Sequence, residues 1–438
     1  MDSPPPQPAL SAPADGESNS SSALQNVPGV QSLASQQLEP VRDPLIDARE
    51  GASEHSTPLF KFVLTGGPCA GKTTALSRMS EFFREKGFRV FTVPEAATSM
   101  FTNGIDFTDL GNTENRFAFQ WSILSLQMTL EDGFERFARA CGKPSILLCD
   151  RGLMDGSVYM PPDEWATLVK ANGLDECSLR DGRYDGIFHL VTAACGATEH
   201  YSLENNEARS ESVEMAREVD AKTEAVWLGH PRHLVFDNST DFEMKLLRVT
   251  SAATRLVGLP CPPRKHRKFL LYEPPPAPED FPVPTKEFSA EKVYLARPDA
   301  AEAGEAGLMV VPTIGGVAGD ESGVPDARPA ECVSTESFLE KRGRDDKYAY
   351  FLTKFSTYSD GTVTEVTRQL SAAQHESIAR KRADSARPKV VQRRVSFLWE
   401  RQAFELHTDI EPAYGINVLH RRTEGGELSL PTFLAVDD

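Results

Sequence analysis

One short stretch constrains this chain more than any other. The eight residues Gly66-Gly67-Pro68-Cys69-Ala70-Gly71-Lys72-Thr73 satisfy G-x-x-x-x-G-K-[ST], with Thr74 following. They sit between an apolar run, Phe60 to Leu64, and a stretch with Leu76, Met79 and Phe83 at helical spacing. A strand handing over to a helix through such a loop is the context the motif requires. Gly66 and Gly71 tolerate backbone angles that turn N–H groups inward on an anion, and the helix start adds its positive dipole end. Lys72 is placed to reach the β/γ-phosphates of a nucleotide, and the Thr73 hydroxyl to ligate Mg²⁺.

Downstream, short apolar segments alternate with longer amphipathic ones, as in a parallel sheet covered by helices. The pattern predicts strands near Phe60–Thr65, Arg89–Val93, Ser145–Cys149, Gly186–Val191 and His233–Phe236. Helices are expected near Lys72–Lys86, Thr113–Ala140, Asp163–Ala171, Asn206–Glu224 and Phe242–Val257. Ser145-Ile146-Leu147-Leu148-Cys149-Asp150 is an apolar strand ending in aspartate, so Asp150 is a candidate Mg²⁺ partner, direct or through water. For Arg151, two readings stand: it stabilises transferring phosphoryl charge, or it pairs with Asp155 at a helix start. The second strand leads to Glu95 at the carboxyl end of the sheet, where a general base would sit; the alternative is an ordinary helix-start carboxylate.

Weaker candidates follow. Gln120 could offer its amide to a base or small ligand, although its aromatic neighbours read as core. Arg209 and Arg217 stand near one helix face in a charged segment that reads either as a lid over phosphates or as a solvated surface. Asp237-Asn238-Ser239 follows the last strand, where a loop could contact a purine, adenine or guanine alike.

The chain has 438 residues and a formal charge of -17, which argues against general nucleic-acid binding. Basic residues nevertheless outnumber acidic ones between Lys341 and Arg401, so an anionic partner should meet the C-terminal part. The seven cysteines show no metal or disulfide spacing, consistent with a reducing compartment. No basic leader and no apolar window of membrane-spanning length occurs, so a cytoplasmic protein, peripheral at most to a membrane, is expected. Residues 1–57 are too polar to bury a core and should be disordered; 58–262 form the nucleotide-binding unit. The proline-rich Glu273 to Pro278 marks a boundary close by. Residues 263–438 carry β-like segments at regular spacing, predicting an antiparallel, barrel-like domain with a disordered insertion at about 297–332.

The strings FVLTGGPCAGKTT, VPEAAT, FAFQ, ILLCDRGLMD, FHLVTAACGATEHY and HLVFDNSTDFEMK together resemble the NadR-like P-loop domain of the TRPL translocation defect protein family, over about Phe60 to Leu259. The second half of that family resembles a CYTH-like triphosphate-tunnel barrel. Arg264 to Leu270 and Leu339 to Gly343 correspond to its opening and arginine-bearing strands. The resemblance implies binding of GTP or ATP with Mg²⁺ and of phosphoinositide headgroups, and a role in membrane-protein trafficking. It also leaves open a small-molecule kinase acting on ribosylnicotinamide or a nucleoside. The opening strand lacks the glutamates that hold metals in active tunnels, so polyphosphate hydrolysis there is not expected. Arg342, Arg344, Lys354, Arg368, Arg393 and Arg394 could instead line a headgroup cavity, or simply form a basic exterior.

Overall fold

The computed structural model describes residues 57–198, 212–259, 261, 268–296, 332–421 and 427–436. The expected disordered N-terminus up to residue 56, the insertion at 297–331, Arg209 and the basic run Arg264 to Arg267 therefore lie outside the described residues.

Two sheets organise the chain. The first has five strands, β1 (Leu59–Thr65), β2 (Arg89–Val93), β3 (Ser145–Asp150), β4 (Gly186–Leu190) and β5 (His233–Phe236). All pairs are parallel, in the order β2-β3-β1-β4-β5. The flanking helices are α1 (Lys72–Glu85), α2 (Ala96–Thr102), α3 (Thr113–Ala140), α4 (Pro162–Ala171), α5 (Glu176–Arg180), α6 (Val213–Val226) and α7 (Phe242–Leu256). Strand alternation explains the layers. Phe60, Phe62 and Leu64 pack with Met79 and Phe83 of α1 and with Leu246 and Val249 of α7. Val63 packs on the opposite face with Leu124, Trp165 and Trp227. A sheet buried on both faces needs such nearly continuous apolar strands. Lys61 interrupts one and is neutralised in the interior by Glu135 at 2.8 Å.

The expected elements are present, with ends shifted by a residue or two; for α6, the expected first residues through 211 lie outside the described ones. Not foreseen were α2, α5 and, in the second sheet, α8 (Ala372–Arg382). The signal for α8 was readable, because Ser371 and Gln374 form a capping box at its start.

The second sheet has eight antiparallel strands, β6 (Lys268–Leu270), β7 (Thr285–Tyr294), β8 (Cys332–Arg344), β9 (Lys347–Tyr358), β10 (Val363–Leu370), β11 (Val390–Trp399), β12 (Gln402–Glu411) and β13 (Asn417–Arg421). Their order is β10-β9-β8-β7-β11-β12-β13-β6. Among the described residues β10 and β6 are the two edges of this sheet, and no pairing joins them into a closed barrel. The outer edge of β10 is instead capped by the tail of the first unit, through bridges Val257 to Val366 and Cys261 to Val363. Polar contacts also join the two units: Lys286 to Glu176 at 3.2 Å and Arg342 to the Gly229 carbonyl at 2.5 Å. No helix among the described residues is long and apolar enough to cross a membrane, and no disulfide links them.

Candidate functional site

The loop from Gly66 to Thr73 leaves the carboxyl end of β1 in the middle of the parallel sheet. Gly66 (φ 131°) and Gly71 (φ 88°) have left-handed backbones, and so does Cys69 (φ 53°). At Gly66 the choice is absolute, since a Cβ would stand 2.0 Å from the Leu190 carbonyl oxygen. Gly67 and Pro68 are buried, Ala70 likewise, and Cys69 is half-buried. Lys72 Nζ donates to the carbonyls of Gly66 at 3.0 Å and Gly67 at 2.9 Å, so its ammonium lies within the loop's concavity. Thr73 and Thr74 are exposed at the helix start. Helix α1 begins on Gly71 with no side-chain cap and no acidic residue in its first turn, whereas Asn112, Ser212 and Asp241 cap α3, α6 and α7. No side chain caps the start of α1, as suits a helix N-terminus that faces an anion.

Register places the carboxylates. Leu64 pairs with Asp150, so the end of β3 stands beside the loop's first residues. Asp150 Oδ1 is buried without a hydrogen-bond partner. Burial pushes its carboxyl up, Glu95 adds to this, and Lys72 and Arg151 oppose it. An orphaned, buried carboxylate oxygen near Lys72 suits a cation, and Thr73 supplies a hydroxyl. Among the described residues no group of three His, Cys, Asp or Glu side chains could hold a metal, so Mg²⁺ here would draw its remaining ligands from phosphate oxygens and water. Glu95 lies 3.3 Å from Arg151 Nε and accepts a bond from Thr98 at 2.7 Å. Burial raises the Glu95 carboxyl, but Arg151, Thr98 and Lys72 together hold it below its usual range. Arg151, itself left-handed (φ 73°), donates to the Gly66 carbonyl at 2.7 Å.

Of the two readings of Arg151, a helix-start pair with Asp155 is not what forms. Asp155 is buried and occupied by the Thr65 hydroxyl at 2.8 Å, Trp227 Nε1 at 2.7 Å and the Gly152 N–H at 3.2 Å. It braces the last residue of β1, immediately before Gly66. Sequence reading also missed a second brace. Asp220, fully buried on α6, accepts the Gly67 N–H at 2.8 Å and the Thr192 N–H at 3.2 Å. Thr192 Oγ1 donates to the Pro68 carbonyl, and Ala193 N–H to that of Cys69 at 3.3 Å. Lys245, buried, donates to the Val191 carbonyl at 2.7 Å and Asn238 Oδ1 at 2.8 Å. Burial pushes its ammonium down to about 8. No local pattern marks these residues, because Lys245 reaches a carbonyl 54 positions away, Asp155 a hydroxyl 90 away and Asp220 an N–H 153 away.

Other candidates land elsewhere. Gln120 is buried, its Oε1 without a partner. Arg217 donates to the Ala194 carbonyl at 2.8 Å. In the loop after β5, Asn238 spends its amide on the Thr192 and Cys195 carbonyls and on Lys245, and Asp237 binds Ser239 and Arg248. The six basic residues do not line one cavity. Arg342 and Arg394 are buried and face Glu405, Arg394 also Glu340 at 2.6 Å, while Arg344 and Arg393 flank Glu287 at the surface. Adjacent strand residues point to opposite faces, which separates Arg393 from Arg394.

A central strand of a parallel sheet, a glycine loop with a left-handed entry, an uncapped helix and an inward lysine define a P-loop NTPase-like, nucleotide-binding domain. Residues 61–245 accordingly match a family model described as an AAA domain, a span that runs from β1 into α7 and takes in all five parallel strands. No curated protein matches the chain.

Proposed function

We propose that the protein binds GTP or ATP with Mg²⁺ at the loop Gly66–Thr73. The observation that carries this reading is the uncapped start of α1 beneath a loop whose Lys72 points into it. Backbone N–H groups of Cys69 to Lys72 and the helix dipole would hold the β- and γ-phosphates, with Lys72 neutralising them. Thr73 and Asp150 would hold the metal, which supplies charge neutralisation across the phosphates. Titration calorimetry with MgGTP and MgATP tests this: Lys72→Ala should weaken affinity by about two orders of magnitude or more, the loss of a charge-assisted phosphate contact. Unchanged affinity in that variant refutes the reading.

A second reading is favoured by one feature, the Glu95–Arg151 pair beside Asp150 at the carboxyl edge of the sheet. In it, Glu95 accepts the proton of an acceptor hydroxyl, and Arg151 stabilises charge on the transferred phosphoryl group. Ribosylnicotinamide and nucleosides are the acceptors to try. Acceptor-dependent formation of a phosphorylated product supports transfer, and nucleotide binding without it leaves a switch. The switch reading extends to membrane-protein trafficking, with the antiparallel sheet meeting phosphoinositide headgroups. The exposed Arg344 and Arg393 are its candidate contacts, since Arg342 and Arg394 are consumed by carboxylates. Liposome flotation should fall on charge reversal at Arg344 and Arg393; flotation that is undiminished removes this surface.

A further inference from the structure

The two sheets meet at the nucleotide loop through one arginine. Strands β11 and β12 form a hairpin, Trp399 opposite Gln402, closed by the two residues Glu400 (φ 45°) and Arg401 (φ 61°). Two successive left-handed residues give the tight turn whose twist matches an antiparallel pair. The hairpin lies against the carboxyl ends of the parallel strands: Ala403 is buried with Val191 and Val235, and Leu398 and Cys195 pack around them. That is the edge from which the phosphate loop also emerges.

From this turn the Arg401 guanidinium enters the first unit. One nitrogen donates to Asp220 Oδ2, and the other lies 2.6 Å from Cys195 Sγ. The second oxygen of the same carboxylate, Oδ1, accepts the Gly67 N–H at 2.8 Å and stands 3.2 Å from His189 Nε2. Glu224 Oε2 lies 3.9 Å from Arg401. Asp220 is thus gripped from both sides: by the backbone of the phosphate loop and by an arginine 181 positions away in the other sheet. Cys195 gives a parallel route, since Asn238 holds its carbonyl together with that of Thr192, whose hydroxyl binds Pro68. Although burial raises the Asp220 carboxyl, His189, Arg401 and the Gly67 N–H hold it down to about 2.

We infer that Arg401 is a positioning residue for the phosphate loop, supplied by the antiparallel sheet, so that docking of this hairpin and nucleotide affinity depend on each other. A buried carboxylate deprived of its cation either takes up a proton or turns away toward water. Turning away takes the acceptor from the Gly67 N–H, and protonation weakens it from a charged to a neutral oxygen, so either way the loop is held less firmly next to Gly66. Such coupling is reciprocal, so a nucleotide that orders the loop also tightens the hairpin's seat. The inference rests on the nucleotide-binding reading given above.

The experiment uses the full chain and fluorescent GTP and ATP analogues with Mg²⁺. Arg401→Asn removes the guanidinium while suiting the left-handed turn, which keeps the hairpin. It should weaken affinity about tenfold or more, as should Asp220→Asn, and the double variant should be no worse than Asp220→Asn alone. Arg401→Lys should restore part of the loss, which a purely architectural role for the turn does not explain. Wild-type affinity in Arg401→Asn, or losses that add in the double variant, overturn the inference. Absence of nucleotide binding by the wild type overturns the function itself, which separates the two failures. Should Arg401→Asn prove unfolded, Arg401→Lys paired with Asp220→Asn gives the same cycle.

Discussion

Asp155→Ala should destabilise the first unit severely, and the size of the loss follows from three bonds. The Asp155 carboxylate accepts from Thr65 Oγ1 at 2.8 and 2.9 Å, Trp227 Nε1 at 2.7 Å and the Gly152 N–H at 3.2 Å. Thr65 and Trp227 are fully buried, so neither donor finds water when the acceptor goes. Hydrogen bonds to charged groups contribute about 1.5–3 kcal/mol each, and the long Gly152 bond belongs at the low end. The expected loss is roughly 4.5–7.5 kcal/mol, a large part of the ~5–15 kcal/mol that holds a typical domain folded. Asp155→Asn keeps the shape and one acceptor oxygen but turns an NH₂ toward one donor, so about half the loss is expected. Urea titration followed by tryptophan fluorescence, to which Trp227 contributes, and by far-ultraviolet dichroism measures both. A loss under about 1.5 kcal/mol in the alanine variant, or an asparagine variant as damaged as it, refutes the bracing role.

Gly66→Ala should prevent folding or cost several kcal/mol in thermal denaturation, because its Cβ meets the Leu190 carbonyl at 2.0 Å, whereas Gly111→Ala, with nothing within 4 Å, should stay within about 0.5 kcal/mol. Burial pushes the Glu224 carboxyl from 4.5 up to about 7, so the folded state keeps a proton that the unfolded state releases. Its contribution is full below pH 4.5 and declines as pH rises to about 7, an interval of roughly 3 kcal/mol. Glu224→Gln should therefore gain stability relative to wild type as pH rises from 5 to 8, and a difference that does not vary with pH in paired urea titrations refutes the assignment. Lys245→Met should cost about 2–4 kcal/mol by leaving the Val191 carbonyl and Asn238 Oδ1 without their buried donor. Equal urea midpoints for that variant and wild type count against the clamp.

Much of the first unit was legible because its signals are local. Apolar runs mark β1 to β5, and positive backbone angles at Gly66 and Gly71 have a residue-level cause. Asp150 was readable as the polar end of an apolar strand, and Glu95 as a carboxylate two residues beyond one. In the second sheet β8 to β12 were legible too, but β7, β13 and the arrangement of the edges were not. Whether β10 meets β6 depends on where the tail after α7 runs, and no periodicity encodes that. The arginines show the same limit: Arg393 and Arg394 were read as lining one cavity, whereas they lie on opposite faces of β11 with carboxylate partners from other strands.

The sequence by itself determined that a phosphate-binding loop joins a buried strand to a helix, since glycine backbone freedom and apolar periodicity act within a few residues. Only the tertiary structure decided what holds that loop. Asp220 and Lys245 reach it from distant parts of the chain, Asp155 holds the residue before it and Arg401 grips Asp220 in turn, and these pairings arise because burial forces each polar group to find a partner wherever the fold brings one within reach.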